Sequence, residues 1–277
     1  MRDVAMYRHE VFILLSAPGS GPFSIVTNER EYTLHAAAIS PATRFVVNAR
    51  GVHTIGIATN LVHPLYKPLR VHLDTPVRPL ERSDFAHLDD DFRQAREGRL
   101  GLERVAEITR EAMEIVLRDA PAVPPLDPRI AWIMRRMDAD FNCTFDELAA
   151  GLKISSSRLS HLFSKELGTP FRSYIAWSRI VLAWEMVALR PDMSFTEIAH
   201  AWGFSDSSHL ARAIHTSFGT TPTVMRDRRY VEIIGTPMPR GEHVPVDGEM
   251  LQPWRPKTQS ETTEGSGDSS ADDPTPA

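Results

Sequence analysis

A short helical unit occurs twice in the second half of this chain. The segments FDELAAGLKISSSRLSHLFSKELG (145–168) and FTEIAHAWGFSDSSHLARAIHTSFG (195–219) share one plan: a capped start, a short helix, a tight turn and a second helix ending in glycine. Phe145 matches Phe195, Glu147 matches Glu197, and Leu148-Ala149 matches Ile198-Ala199. One extra residue in the second turn sets the later offset at 51, so Leu159 falls on Leu210, Phe163 on Ile214 and Gly168 on Gly219. Two copies are too few for a solenoid. Tandem helix-turn-helix units instead suit two successive turns of a DNA groove.

Both copies open on a capping box, Thr144 with Glu147 and Ser194 with Glu197, in which the hydroxyl accepts an amide and the glutamate reaches back. Ser155 and Ser205 are the expected N-caps of the second helices. In the first copy Leu159, Leu162, Phe163 and Leu167 follow helical spacing and face inward, leaving Ser157, Arg158, Ser160, His161 and Ser164 outside. In the second, Leu210, Ile214 and Phe218 face inward, leaving Ser207, Ser208, His209, Ala211 and Arg212. Short hydroxyls, a histidine and an arginine allow close approach to base edges. A solvated helix face would more often carry Glu and Lys four apart. A structural helix pair would account for either copy alone, but not for turn, caps and glycine together.

The chain of 277 residues is long enough for two domains, and 42% apolar with 24% charged residues is the composition of a soluble globular protein. A single cysteine, Cys143, excludes an internal disulfide and fits a reducing cytoplasm; it reads as a small buried hydrophobe. The most apolar helical stretch, 174–189, carries Arg179 and Glu185, so no membrane span is expected. The net charge of −5 lies in the tail: 127–235 hold 13 Lys/Arg against 12 Asp/Glu, net +1, and 236–277 hold 3 against 8, net −5. A charge of +1 is a weak footprint for phosphate binding, so the placement of the cations matters more than their sum.

The expected organisation is α+β in two domains. Residues 11–74 read as short strands (VFILLSA, PFSIVTN, EYTLHAAAIS, TRFVVNA, HTIGIAT, RVHLD) separated by turn signals, which suggests a small antiparallel barrel or sandwich, with a small antiparallel β-barrel over 1–80 as the expectation. The segment 81–122 reads as helical, with a short helix near 84–96 and an amphipathic one whose face is Leu102, Val105, Ile108, Ala112, Val116 and Leu117. That face suits either packing on the sensor or a dimer seam. Residues 123–128 close a proline-rich linker, 129–233 form an all-α domain of two helix-turn-helix units joined by a long helix, and 236–277 read as a disordered acidic tail.

Residues 129–229 resemble the DNA-binding domain of the AraC/XylS family of bacterial transcription regulators. LSHLFSKELGTPFRSYI resembles that family's first recognition helix and the start of its connecting helix, YIAWSRIVLAWEMVAL the connecting helix, and IAHAWGFSDSSHLARAIHTSFGTTP its second unit. The resemblance implies two recognition helices in adjacent major-groove segments, with Ser157, Arg158, Ser160, His161, Ser207, Ser208, His209 and Arg212 facing DNA. Three departures stand out. Lys153 sits where a glycine of positive φ is usual, Met225 replaces an aromatic, and the first helix carries small hydroxyls where relatives carry bulkier readers.

The strand-rich front is similar to the cupin-like sensor of many such regulators. The implied partners are double-stranded DNA, with RNA polymerase, a small-molecule effector and a second copy also admitted; no membrane is implied, and the location is cytoplasmic. His35, His53, His63 and His72 are scattered without a ligand cluster, so no metal and no cofactor are expected. A cupin-type enzyme with a helical interaction domain and a protein–protein adaptor remain as alternatives. No nucleophile–base set or phosphate loop supports the enzyme, and no catalytic residue is assigned.

Overall fold

In VFILLS the residues Val11, Ile13 and Leu15 point one way and Leu14 the other, and all four are buried. A strand apolar on both faces must be covered on both, and the computed structural model meets that demand. It describes residues 5–28, 30–59, 61, 63–141 and 143–227; the acidic tail 236–277 lies outside them. Strands β1 (Ala5–Tyr7), β2 (Val11–Ser16), β3 (Phe23–Val26), β4 (Glu31–Leu34), β5 (Ala36–Ile39), β6 (Arg44–Asn48), β7 (Thr54–Thr59) and β8 (Val77–Pro79) form two antiparallel four-stranded sheets. Their orders are β1-β6-β3-β4 and β7-β2-β5-β8.

Leu14, Ala37, Ile39 and Val77 of the second sheet pack against Phe23, Ile25 and Phe45 of the first. On the other face Val11, Ile13, Leu15, Ala36 and Ala38 meet helices. Among the described residues no strand pairing joins the two sheets, so the expected closed barrel is instead a pair of stacked sheets. EYTLHAAAIS is not one strand: β4 and β5 belong to different sheets, and the chain crosses between them at His35.

The helices over the second sheet are α1 (Tyr66–His72), a 3-10 helix (Arg82–Leu88), α2 (Asp89–Arg96) and α3 (Leu102–Val116). The expected strand RVHLD is mostly helix α1, because Tyr66, Leu69 and Leu73 recur at intervals of three and four and are buried, while Val71, which suggested alternation, is 46% exposed. Of the expected α3 face, Ile108, Ala112 and Val116, with Met113, join the core of their own chain, Val105 and Leu117 pack against it half-buried, and Leu102 is 53% exposed. Outside, Arg104 reaches Asp91 and Glu111, and Arg110 pairs with Glu114.

The C-terminal half is wholly helical: α4 (Pro128–Ala139), α5 (Phe145–Gly151), α6 (Ser156–Leu167), α7 (Phe171–Leu189), α8 (Phe195–Ala201), α9 (Ser207–Phe218) and α10 (Pro222–Arg226). Two cores run through it. That of the first unit (Leu148, Leu159, Phe163, Leu167, Tyr174) is continuous with the core beneath the second sheet. That of the second unit (Leu182, Ile198, Trp202, Leu210, Ile214, Met225) stands by itself. Met225, 5% exposed, is part of this second core.

Candidate nucleic-acid interface

The repeat in sequence becomes a repeat in geometry. In each capping box the glutamate carboxylate accepts the cap residue's amide at 2.7 Å and the hydroxyl accepts the glutamate's amide at 3.2 Å, for Thr144 with Glu147 and Ser194 with Glu197 alike. Both second helices end on a left-handed glycine, Gly168 at φ +70 and Gly219 at φ +70. The turn before α6 requires the same region of backbone. Lys153 adopts φ +55 where the second unit has Gly203 at φ +75, so the first departure from the family pattern is a strained lysine.

The N-cap of α6 is Ser155 as expected, its hydroxyl accepting the Arg158 amide. The N-cap of α9 is Asp206, not Ser205, and Asp206 is the residue that lies 51 after Ser155. Its carboxylate accepts the His209 amide at 2.8 Å, while Ser205 donates its hydroxyl to the other oxygen at 2.9 Å. Those two donors, the amide first, hold the Asp206 carboxyl below its ordinary value.

Leu159, Phe163, Leu210 and Ile214 are fully buried, which turns the opposite faces of α6 and α9 outward. Ser157, Arg158, Ser160, His161, Ser208, His209 and Arg212 are exposed, and Ser207 is half-buried. With Leu159 laid on Leu210, Arg158 corresponds to His209 and His161 to Arg212. Each helix thus carries one arginine and one histidine three residues apart, in opposite order. Among the described residues Lys153, Arg158, Arg172 and Arg212 form no ion pair, whereas Arg129 and Arg190, away from these faces, are bonded to Asp127 and Asp192. Helix α7 has 19 residues and so spans about 28 Å at 1.5 Å per residue, close to the roughly 34 Å repeat of successive grooves.

Sequence reasoning missed a joint between the two halves. From α1, the Tyr66 hydroxyl lies 3.2 Å from the Leu167 carbonyl, and Arg70 donates to the carbonyls of Lys165 and Glu166 at 3.2 and 3.3 Å. Lys67 donates to Glu166 at 2.7 Å and to the Pro125 carbonyl at 3.1 Å. The last carbonyls of α6 are thereby capped by the other half of the chain. Burial pushes the Glu166 carboxyl up, but Lys67 and the Asp127 amide outweigh it and hold the group below its ordinary value. Near β1, His9 lies 5.6 Å from the Trp177 ring and the Arg8 guanidinium 5.2 Å from that of Phe218. A cavity of about 170 Å³ lies at this joint, lined by His9, Ser40, Tyr66, Arg70, Gly168 and Thr169 among others. Arg70 Nε is buried beside it without a hydrogen-bond partner.

The joint distinguishes the two terminal glycines. A Cβ at Gly168 would meet Arg70 Cδ at 2.7 Å, whereas at Gly219 it would meet Met6 Sδ at 3.3 Å. Each Gly→Ala change forces alanine into the left-handed region, at about 1–2 kcal/mol. Gly168→Ala must also displace Arg70 from the α6 carbonyls, so its loss in chemical denaturation is expected to exceed that of Gly219→Ala. Equal losses would mean that the Arg70 contact contributes nothing.

The paired helix-turn-helix units, each with an exposed second-helix face, agree with the comparison against known families. Residues 148–228 match the family described as Helix-turn-helix domain. The chain is similar to the transcriptional activator NphR of Rhodococcus sp, 28% identical over 98 residues, which is 35% of this chain and 29% of that protein. It is also similar to YpdC, an uncharacterized HTH-type transcriptional regulator of Escherichia coli K12, 32% identical over 79 residues, 28% of this chain and 27% of the relative. The chain thus spans less than a third of the length of these curated relatives. Among solved structures, ToxT from Vibrio cholerae O395 superposes over 80% of this chain and 90% of its own, with a TM-score of 0.51 at 14% identity, a likeness of fold. A further ToxT structure, with a TM-score of 0.51, 13% identity and coverage of 80% of this chain and 91% of its own, holds (E)-4-(8-methylnaphthalen-1-yl)but-3-enoic acid. Among the described residues no helix is long and apolar enough to cross a membrane, and no cluster of three or more His, Cys, Asp or Glu could hold a metal. Cys143 is free and buried.

Proposed function

We propose that this chain is a sequence-specific transcription regulator of the cytoplasm, in which α6 and α9 enter two adjacent major-groove segments. On this reading 129–233 is the DNA-binding domain, 123–128 the linker, and 1–80 with 81–122 a cupin-like sensor. Ser157, Arg158, Ser160, His161, Ser207, Ser208, His209 and Arg212 are its groove-facing residues. The observation that carries it is the matched exposure of two equivalent helix faces, each bare of acidic side chains and each fixed from behind by a fully buried leucine. An enzyme or adaptor has no need of that duplication. Titration with duplex DNA at two salt concentrations tests the reading. Affinity should fall steeply as salt rises, because each neutralised phosphate releases a counterion, and a random pool should yield a preferred sequence. A salt-insensitive affinity with no preferred sequence would overturn it.

Arg212 is the strongest single reader on α9, since a guanidinium can hold guanine O6 and N7 together. Arg212→Ala is expected to cost about 1–3 kcal/mol of specific binding and to relax the preference at one or two base pairs. His161→Ala, at the equivalent place on α6, should cost less. A uniform loss across all sequences would make Arg212 a phosphate contact, and the reverse order would sink the ranking.

The cavity at the joint, with Arg70 and His9 in its lining, suits an effector with a small anionic group. The organic acid held by ToxT is of that chemical type. RNA polymerase and a second copy of the chain are the remaining partners consistent with such a regulator.

A further inference from the structure

The two glycines that end α6 and α9 both abut the N-terminal half. Arg70 of α1 lies against Gly168 and donates to the last carbonyls of α6. Met6 of β1 lies against Gly219, its sulfur 3.3 Å from where a Cβ would stand. Two residues on, Arg8 extends that second contact. Its guanidinium lies 4.5 Å from the ring centre of Phe12 on β2 and 5.2 Å from that of Phe218, the last residue of α9. A flat cation can face two rings at once. Glu10 fixes the fork, accepting from Arg8 Nε at 3.1 Å and Nη2 at 2.9 Å, and both side chains are only 13% exposed. Phe218 packs against both cores of the C-terminal half, its ring 5.5 Å from Trp177 and 5.2 Å from Trp184 of α7. The Tyr66 hydroxyl, 3.2 Å from the Leu167 carbonyl and 3.3 Å from that of His9, ties the two fastenings together.

We infer that Arg8 is a positioning residue for DNA recognition. It holds the C-terminal end of α9 on the same frame that holds α6, so that the two helices read their segments at one spacing only. The inference rests on α6 and α9 being recognition helices. The second unit's core stands by itself, joined to the other through Phe141 and Phe218, so the end of α9 is where its angle is set. Ser207 lies at the opposite end of that helix, about 16 Å from Phe218 at 1.5 Å per residue. A tilt of about 12° at Phe218 therefore moves Ser207 by about 3.4 Å, one base-pair step. A contact that touches no base thus decides which spacing of bases is read.

The test uses the full chain and a duplex selected from a random pool, with one base pair added or removed between the two major-groove segments that footprinting finds protected. Each such change shifts the segments by about 3.4 Å and turns them by about 35° relative to one another. Wild type should lose about tenfold at either altered spacing, the order of one mismatched base pair. Arg8→Ala should bind more weakly at the original spacing yet lose only about twofold on either change, because the freed helix can follow the turned segment. Arg8→Lys keeps a cation for Glu10 but has no flat face, so it should flatten the profile in the same direction, and it decides the matter if Arg8→Ala does not fold. Variants that weaken binding by one common factor at all three spacings would make Arg8 a stabilising contact alone and overturn the inference. A wild type indifferent to spacing would overturn it too, and both results leave the DNA reading standing. A pool with no preferred sequence, or a single protected segment, sinks that reading and this inference with it.

Discussion

Lys67→Met is expected to destabilise the protein by about 3 kcal/mol at neutral pH, within the range for breaking one side of a buried ion pair. Lys67 and Glu166 meet at 2.7 Å with side chains only 14% and 11% exposed, so Glu166 cannot turn to water when its partner goes. Among the described residues the Asp127 amide at 3.2 Å would be its one remaining donor. The pH dependence should change sign. In the wild type the Glu166 carboxyl is held below its ordinary value, so its contribution is present above the unfolded-state pKa and is lost as pH falls through the lower folded value. In the variant only burial and the one amide act. The folded pKa then rises, and the penalty should shrink as acid protonates the group. Lys67→Met combined with Glu166→Met leaves no unpaired charge and should recover most of the loss. Urea unfolding of Lys67→Met, Glu166→Met and the double variant between neutral and mildly acidic pH measures this. A single variant within about 0.5 kcal/mol of wild type, or a double variant as weak as the single losses summed, would mean that the pair does not hold the joint.

The joint shows what kind of information a sequence withholds. The tandem units were legible because caps, turns and terminal glycines are local signals, and a repeat prints each of them twice. Thr144 with Glu147 and Ser194 with Glu197 form the boxes their spacing predicts, and Gly168 and Gly219 take the left-handed conformation. The outward faces were legible for the same reason, since burying Leu159 and Leu210 fixes what lies opposite. Tyr66, Lys67 and Arg70 left no such mark. Their partners lie about a hundred residues away, and nothing periodic ties them together. Two errors have local causes. Val71 lent RVHLD an alternation that outweighed the helical spacing of Tyr66, Leu69 and Leu73. Ser205 was a plausible cap by type, yet the offset of 51 pointed to Asp206, whose carboxylate is both an acceptor and a charge suited to the helix start. The open sheets reflect a question of pairing: strand spacing signals an antiparallel β fold but not whether its edges meet.

Trp202→Ala should cost about 3–5 kcal/mol, as for other buried aromatic truncations, and the loss should fall on one unit. Trp202 is 2% exposed and lies between α8 and α9, with its ring edge toward Phe141 at 6.2 Å and its indole N–H directed at Met186 Sδ. Its neighbours Leu182, Ile198, Leu210 and Ile214 make up the second core, which is separate from the one shared by the first unit and the sheets. Only partly buried side chains, Phe141 and Phe218, pack against both. A cavity at Trp202 therefore loosens α8 and α9 while the first unit keeps its anchorage in the N-terminal half through Glu166 and Leu167. Calorimetry should show the wild type's unfolding split into two transitions, the earlier one small and abolished when residues beyond α7 are removed. Sequence-specific binding should fall at least as far as in Arg212→Ala, because the whole α9 face loses its support, while salt-dependent non-specific binding through α6 persists. A single transition, shifted as a whole, would mean that Phe141 and Phe218 couple the two cores into one cooperative unit. The second recognition helix could then not melt without the first.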